Sequence, residues 1–152
     1  MSDCVFCGIV ARTAPANRVY EDDTVCAFLD IRPIARGHTL VIPKRHATDL
    51  SELPTEDGTD LFRVGHRLAR AVQGRGFAAD GANLLINDGK AAFQTVAHVH
   101  LHVIPRQHGD KFRMAGGLLL RRSRQPEQAA AALRAELAAL DDPAAGAGPN
   151  PA

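Results

Sequence analysis

The chain has no tryptophan, a single tyrosine (Tyr20), and three cysteines in 152 residues. Three thiols cannot build a dense disulfide framework, and their small number fits a reduced, cytoplasmic protein. No window approaches 18 consecutive apolar residues, so neither an ordinary membrane span nor a membrane partner is expected. The opening MSDCVFCGIV lacks a basic stretch followed by a long apolar one, so no signal peptide is expected. The formal net charge is only +1, and nothing in the bulk balance points to a nucleic-acid partner. There is also no Walker-type glycine loop, which argues against the pocket of an ATP-driven motor and against an Mg²⁺ site of that kind.

What is present suffices for one domain with a real core, since 45% of the residues are hydrophobic. Residues 4–11 read as a short turn or helix. Residues 18–21 and 24–29 are two short strands around Asp22-Asp23, a hairpin signal. IRPIARG is loop-like, and TLVIP is a third strand ending at Pro43. Thr55-Glu56-Asp57 offers a helix start, with a capping hydroxyl and acids in the first turn. Leu61, Val64, Leu68 and Val72 form that helix's apolar stripe, and Gly74 and Gly76 stop it. Residues 83–86 are a fourth strand, turned by Asn87-Asp88-Gly89. A basic, irregular segment passes through Arg121, Arg122 and Arg124. Pro126 begins a last helix over 126–140, with Leu133, Leu137 and Leu140 on one side. From 141 to 152 the chain is rich in Ala, Gly, Pro and Asn and is expected to be a disordered tail. With one more strand, described next, the order predicts an antiparallel α+β domain with one main helix.

The fifth strand is HVHLHVIP, residues 98–105. Side chains of a strand alternate between its faces, so His98, His100 and His102 share one face and Val99, Leu101 and Val103 the other. Seven histidines would give such alternation in roughly one to two per cent of shuffled chains, which disfavours accident. Pro105, without an N–H, is expected to end the run. A solvated polar face would be served equally well by Thr or Lys. Two chemical readings remain: a metal triad, and nucleophilic chemistry by one imidazole supported by its neighbours. An imidazole, largely neutral at pH 7, can approach a phosphoryl group without the repulsion an anion meets. It must keep its proton on the nitrogen that does not attack. Splitting a hydrolysis into two displacements is covalent catalysis.

HVHLHV fits the His-φ-His-φ-His-φ-φ motif of the histidine-triad (HIT) superfamily of nucleotide hydrolases and transferases. CVFC, VYEDDTVCAFLDIRP, GHTLVIPKRH and INDGKAAFQTVAHVHLHVIPR resemble further family segments in the family's order, from Cys4 to Arg113. The resemblance implies a HIT-like fold: a five-stranded antiparallel sheet, one main helix, a short N-terminal helix and a C-terminal helix. It places the HIT domain over 1–125. It implies that His100 attacks the α-phosphorus of a nucleotide to give a nucleotidyl-histidine that water hydrolyses. His98 would hold the nucleophile's proton through its carbonyl, and His102 would contact the phosphate. Gln94 would lie near the leaving group and Asn87 at the phosphates. Asp30 would bind the ribose hydroxyls, with His38 a further active-site histidine. Val5, Phe6, Ile9 and Phe28 would line the base pocket. Residue by residue, plainer readings stand beside these. Asp30 can simply set a turn before Pro33, Asn87-Asp88-Gly89 is a turn signal, and the pocket positions read as core by pattern. The family usually has Gly where this chain has Phe93, and a Phe denies the backbone the close approach to a ligand that Gly permits.

Cys4-x-x-Cys7 has metal-ligand spacing but supplies only half of a zinc site, and Cys26 lies within a strand. Some family members complete the site with a histidine after the central strand and the first triad histidine. The matching residues here are His46 and His98, which implies a structural Zn²⁺ held by Cys4, Cys7, His46 and His98. The implied substrates are adenosine phosphoramidates or dinucleoside polyphosphates, a purine nucleotide with no organic cofactor, and the implied assembly is a homodimer. A metal-dependent hydrolase using the triad as ligands, and a nucleotide-binding module without turnover, are the competing readings. The transferase branch typically carries Gln at the third triad position, where this chain has His102.

Overall fold

The computed structural model describes residues 4–110 and 125–142. The segment through Arg121, Arg122 and Arg124, and the tail beyond residue 142, lie outside the described residues. Five strands form one antiparallel sheet: β1 (Arg18–Glu21), β2 (Val25–Leu29), β3 (Thr39–Pro43), β4 (Gly81–Ile86) and β5 (Leu101–Arg106). Their spatial order is β1-β2-β3-β5-β4, so β5 is inserted between β3 and β4. Among the described residues three helices accompany the sheet: α1 (Val5–Val10), α2 (Thr55–Ala71) and α3 (Pro126–Asp141). The architecture is the α+β arrangement that the pattern of elements predicts.

Period-two alternation sorts the strands between two apolar layers. Val25, Ala27 and Leu29 of β2, Val41 of β3, and Leu101 and Val103 of β5 join the stripe of α2 and the inner face of α3 in the larger core. Cys26, Phe28, Leu40 and Ile42 face the other way and pack with Phe6 and Ile9 of α1. This is why β2 and β3 are buried along their whole length. The predicted stripe Leu61, Val64, Leu68 and Val72 is buried as expected. At about 1.5–3 kcal/mol for each large side chain, α2 is held mainly by this face. A Cβ on Gly65 would overlap Leu101 Cδ2, so a glycine there is what brings α2 close onto β5.

The structure corrects several local expectations. Thr55 is inside α2 rather than its cap; the capping position is Pro54, and no side-chain cap hydrogen bond forms. Pro54, extended at ψ 142°, already sets the entry into the helix, while Glu56 and Asp57 do occupy the first turn. Residues 98–100 lie outside the ladder: Val99 N–H donates to Ala47 O and His98 N–H to Val96 O. β5 therefore begins at Leu101, although the alternation of faces is kept. Finally, β5 continues through Pro105 to Arg106. β3 pairs only with residues 101–103, so Pro105 has one neighbouring strand, and a residue without an N–H is tolerated there. β4 starts two residues before the predicted 83, at Gly81, and α3 ends at Asp141, one residue beyond the predicted 140.

Candidate active site and metal centre

The three imidazoles of the motif lie on the α1 side of the sheet and do different things. His98 is fully buried. Its Nε2 lies 2.9 Å from Pro43 O, and a carbonyl only accepts, so Nε2 carries the proton and Nδ1 is bare. Around that Nδ1 stand Cys4 Sγ at 3.4 Å, Cys7 Sγ at 3.7 Å and His46 Nδ1 at 3.2 Å, with Cys7 Sγ 3.3 Å from His46 Nδ1. All four donor atoms fall within 4.8 Å of one another. A tetrahedral zinc with bonds of about 2.3 Å to sulfur and 2.0–2.1 Å to nitrogen has S···N edges of about 3.5 Å and N···N edges of about 3.4 Å. The observed spacings match those edges, and the set of two thiols and two imidazoles suits the ion chemically. The Pro43 carbonyl is the outer partner that holds the His98 ring in its ligating form. Burial pushes His98 below the ordinary imidazole value, against the Pro43 hydrogen bond, and nearby His46 and His100 push the same way, which favours the neutral ring a metal requires.

His100 carries its proton on the opposite nitrogen. Its Nδ1 donates to His98 O at 2.7 Å, which leaves Nε2 with its lone pair available. The ring is 3% exposed and lines a cleft of about 440 Å³. Phe6 of α1 meets it edge-on at 5.3 Å and meets Phe28 edge-on at 5.5 Å. Val5, Phe6, Ile9 and Phe28 line one apolar side of the cleft, and Asp30, His100 and His102 also line it.

His102 sits beside His100, with ring centroids 4.9 Å apart, and pairs in register with Leu40 of β3. Its Nδ1 is 3.0 Å from His38 Nε2. Ile34 N–H donates to His38 Nδ1 at 3.1 Å, so the His38 proton is on Nε2, which donates a hydrogen bond to His102 Nδ1. That leaves the His102 proton on Nε2. Asp30 Oδ2 stands 3.7 Å from His38 Nε2, so Asp30, His38 and His102 also gather like a metal triad. The proton inventory argues against ligation there, because a protonated Nε2 has no lone pair to give. The three motif histidines do not converge on one point: His98 belongs to the Cys4–Cys7–His46 cluster, His102 to the His38 relay, and His100 lies between.

Asp30 combines both of its readings. Its Oδ1 accepts from Arg32 N–H at 2.8 Å, a turn contact, and the residue still lines the cleft. Gln94 is occupied by the loop that carries it: Oε1 accepts from Gly89 N–H at 2.7 Å, and Nε2 donates to Thr48 O at 2.7 Å and Val96 O at 2.9 Å. Asn87 and Gln94 do not line the cleft, and His38 stands behind His102. Phe93 follows the 3₁₀ turn Lys90–Ala92 in the left-handed region, at φ 63°, with 82% of its surface exposed. Ile31, Arg32, Leu40, Thr95 and Val96 also line the cleft and were not anticipated. Leu40 was accessible to the period-two argument, since it shares a face with Phe28. Ile31, 81% exposed beside Asp30, carried no pattern signal.

The HIT domain family model matches residues 11–109. The chain belongs to the HIT family. Among HIT relatives, an uncharacterized HIT-like protein of Mycobacterium tuberculosis is 52% identical over 138 residues, covering 91% of this chain and 95% of the relative. Adenosine 5'-monophosphoramidase HNT1 of Saccharomyces cerevisiae is 42% identical over 104 residues, covering 68% of this chain and 63% of its own. A solved HIT structure, a Zn-bound histidine triad family protein from Mycobacterium smegmatis, superposes with a TM-score of 0.84 at 54% identity, covering 91% of this chain and 96% of that one. Among the described residues no helix is long and apolar enough to cross a membrane.

Proposed function

We propose that this protein is a nucleotide hydrolase that transfers a nucleoside monophosphoryl group to His100 and then to water. The observation that carries the reading is the 2.7 Å hydrogen bond from His100 Nδ1 to His98 O, which strips Nε2 of its proton in a cleft with one apolar wall. In the first displacement the Nε2 lone pair bonds to the α-phosphorus and the P–N or P–O bond to the leaving group breaks. The ring gains positive charge as this bond forms, so the Nδ1–H bond to His98 O strengthens in the transition state, which is differential stabilisation. His102 Nε2–H donates to the phosphoryl oxygens, and His38 holds His102 in that tautomer through the contact at 3.0 Å. Water then displaces His100 from phosphorus and releases the monophosphate.

Val5, Phe6, Ile9 and Phe28 sandwich the base, a purine by size, and Asp30 takes the ribose hydroxyls. Gln94 and Asn87 serve the phosphate and leaving-group end, Gln94 through the loop it holds together. Adenosine phosphoramidates and dinucleoside polyphosphates are the substrate classes; the yeast relative's name as an adenosine 5'-monophosphoramidase supports the first. Cys4, Cys7, His46 and His98 hold a structural Zn²⁺, which the zinc-bound mycobacterial relative supports. That ion would tie α1 to the loop after β3; no step of the reaction runs through it. The protein acts in the cytoplasm as a homodimer, with edge strand β4 the surface for continuing the sheet. The 1–125 unit is the catalytic domain, with α3 its C-terminal helix.

A panel of AMP-linked amines, diadenosine polyphosphates and nucleotide sugars tests the reading. His100→Asn should lose at least about a thousandfold in turnover while AMP affinity stays within a few-fold. Equal rates in the two proteins would refute the nucleophile, and AMP binding without turnover of any panel member would make the protein a binding module.

A further inference from the structure

We propose that Cys4 and Cys7 form a peroxide-sensitive pair whose oxidation to a disulfide expels the metal and loosens the apolar wall of the nucleotide cleft. The inference rests on the cleft and metal readings above and adds a control that neither contains.

Three placements carry it. First, the two thiols are partly exposed, whereas Cys26 is fully buried, so an oxidant reaches the pair and not the third thiol. Second, Cys4 caps α1 and Cys7 lies in its first turn, three residues on, where helical geometry sets the Cα atoms about 5 Å apart, within the roughly 4.4–6.8 Å a disulfide spans. Third, the other two donors come from elsewhere in the chain, His46 after β3 and His98 before β5. The metal cluster is therefore a clamp between α1 and the sheet. The helix it clamps has only six residues, too few to persist on its own, and it supplies Val5, Phe6 and Ile9 to the cleft.

The clamp also reaches the nucleophile. Phe6 packs edge-on against both His98, at 5.8 Å, and His100, at 5.3 Å. His98 offers its ring to the cluster and its carbonyl to His100 Nδ1. Cys4, Cys7 and His46 are accordingly positioning residues that act through α1 and His98.

In the oxidation, the two thiolates give up two electrons and join in one S–S bond. The O–O bond of hydrogen peroxide accepts those electrons and breaks, and its oxygens take up two protons and leave as water. Disulfide sulfurs are poor zinc ligands, so two of the four donors are lost and the two imidazoles release the ion.

The test uses the full chain, reduced and zinc-loaded, before and after a small excess of hydrogen peroxide. Released zinc is read with a chromophoric chelator, the Cys4–Cys7 bond by peptide mass spectrometry, the state of α1 by amide exchange over residues 5–10, and the cleft by AMP binding. Oxidation should release one zinc per chain, speed exchange over 5–10 by at least about tenfold, and weaken AMP binding by about tenfold or more. A thiol reductant plus zinc should restore all four readings, which separates the switch from damage. Loss of zinc with unchanged exchange over 5–10 overturns the proposal, as does retention of zinc under peroxide. If the reduced, zinc-loaded chain fails to bind AMP, the nucleotide reading has failed, and exchange alone then decides the switch. If the reduced chain takes up no zinc, the metal reading and the switch fall together, before any oxidant is added.

Discussion

His98 and His100 are two residues apart and carry the same side chain, yet their protons sit on opposite nitrogens. A carbonyl accepts from each: Pro43 O from His98 Nε2, and His98 O from His100 Nδ1. Those two contacts leave Nδ1 bare on His98, among the Cys4, Cys7 and His46 donor atoms, and Nε2 bare on His100, as the proposed ligand and nucleophile roles require. The alternation of HVHLHV announces that the rings share a face, but not which nitrogen of each is bare, because the deciding carbonyls belong to β3 and to the bend before β5. The same holds at Phe93. AAFQT shows a large side chain where the family usually has glycine, and only the fold shows it at φ 63°. A non-glycine residue there costs about 1–2 kcal/mol, partly offset by the greater chain entropy that glycine loses. Phe93→Gly should therefore raise stability by up to about 1 kcal/mol, seen as a higher urea midpoint. A lower midpoint would mean the exposed ring makes contacts that matter.

Among the elements, the β1–β2 hairpin shows how a turn signal becomes a structural joint. Asp22 accepts from Val25 N–H at 2.8 Å, Thr24 N–H at 3.0 Å and Tyr20 O–H at 2.9 Å, and pairs with Arg63 of α2 at 2.8 Å. Burial pushes its carboxyl up, but the Arg63 guanidinium and the hairpin's N–H groups outweigh this and hold it far below the usual carboxylate range. A carboxylate whose folded pKa is depressed contributes stability above its unfolded value, near 3.9, and loses it as pH falls toward the folded value. Asp22→Ala should cost about 2–3 kcal/mol at pH 7 by urea unfolding. The difference between the variant and the native chain should shrink below about pH 4; a difference constant down to pH 2 would show that the charge is irrelevant. Asp22-Asp23 was legible as a turn, whereas its bond to a helix some forty residues downstream was not. The Thr55 cap failed for a similar reason: Pro54 already fixes the entry to α2, and the hydroxyl is one residue too late.

At the scale of the whole molecule, the sheet has one thick layer against α2 and α3 and one thin layer against α1. The thin layer has few side chains to hold it, so a metal held by the proposed Cys4–Cys7–His46–His98 site would bear an unusual share of its attachment. Stripping the metal with a strong chelator should lower the melting temperature by at least about 5 °C. A His46→Ala chain should start lower and respond little to chelator. An unchanged melting temperature in the native chain would detach the cluster from stability.

The sequence by itself determined the class of fold, because period-two and helical stripes declare which side of each element must leave water, and five motifs in family order declare the HIT resemblance. It also named Cys4, Cys7, His46 and His98, which the fold gathers, and Val5, Phe6, Ile9, Phe28, Asp30, His100 and His102, which line the cleft, since chemistry-bearing side chains gathered in short motifs can be read without coordinates. What tertiary structure alone decided was the division of labour among chemically identical side chains, the loop duty of Gln94, and the cleft residues Ile31, Arg32 and Val96. Those depend on a proton's position or on a meeting of segments distant in the chain. Both are set by hydrogen-bond partners and packing, quantities that no local pattern of residues contains.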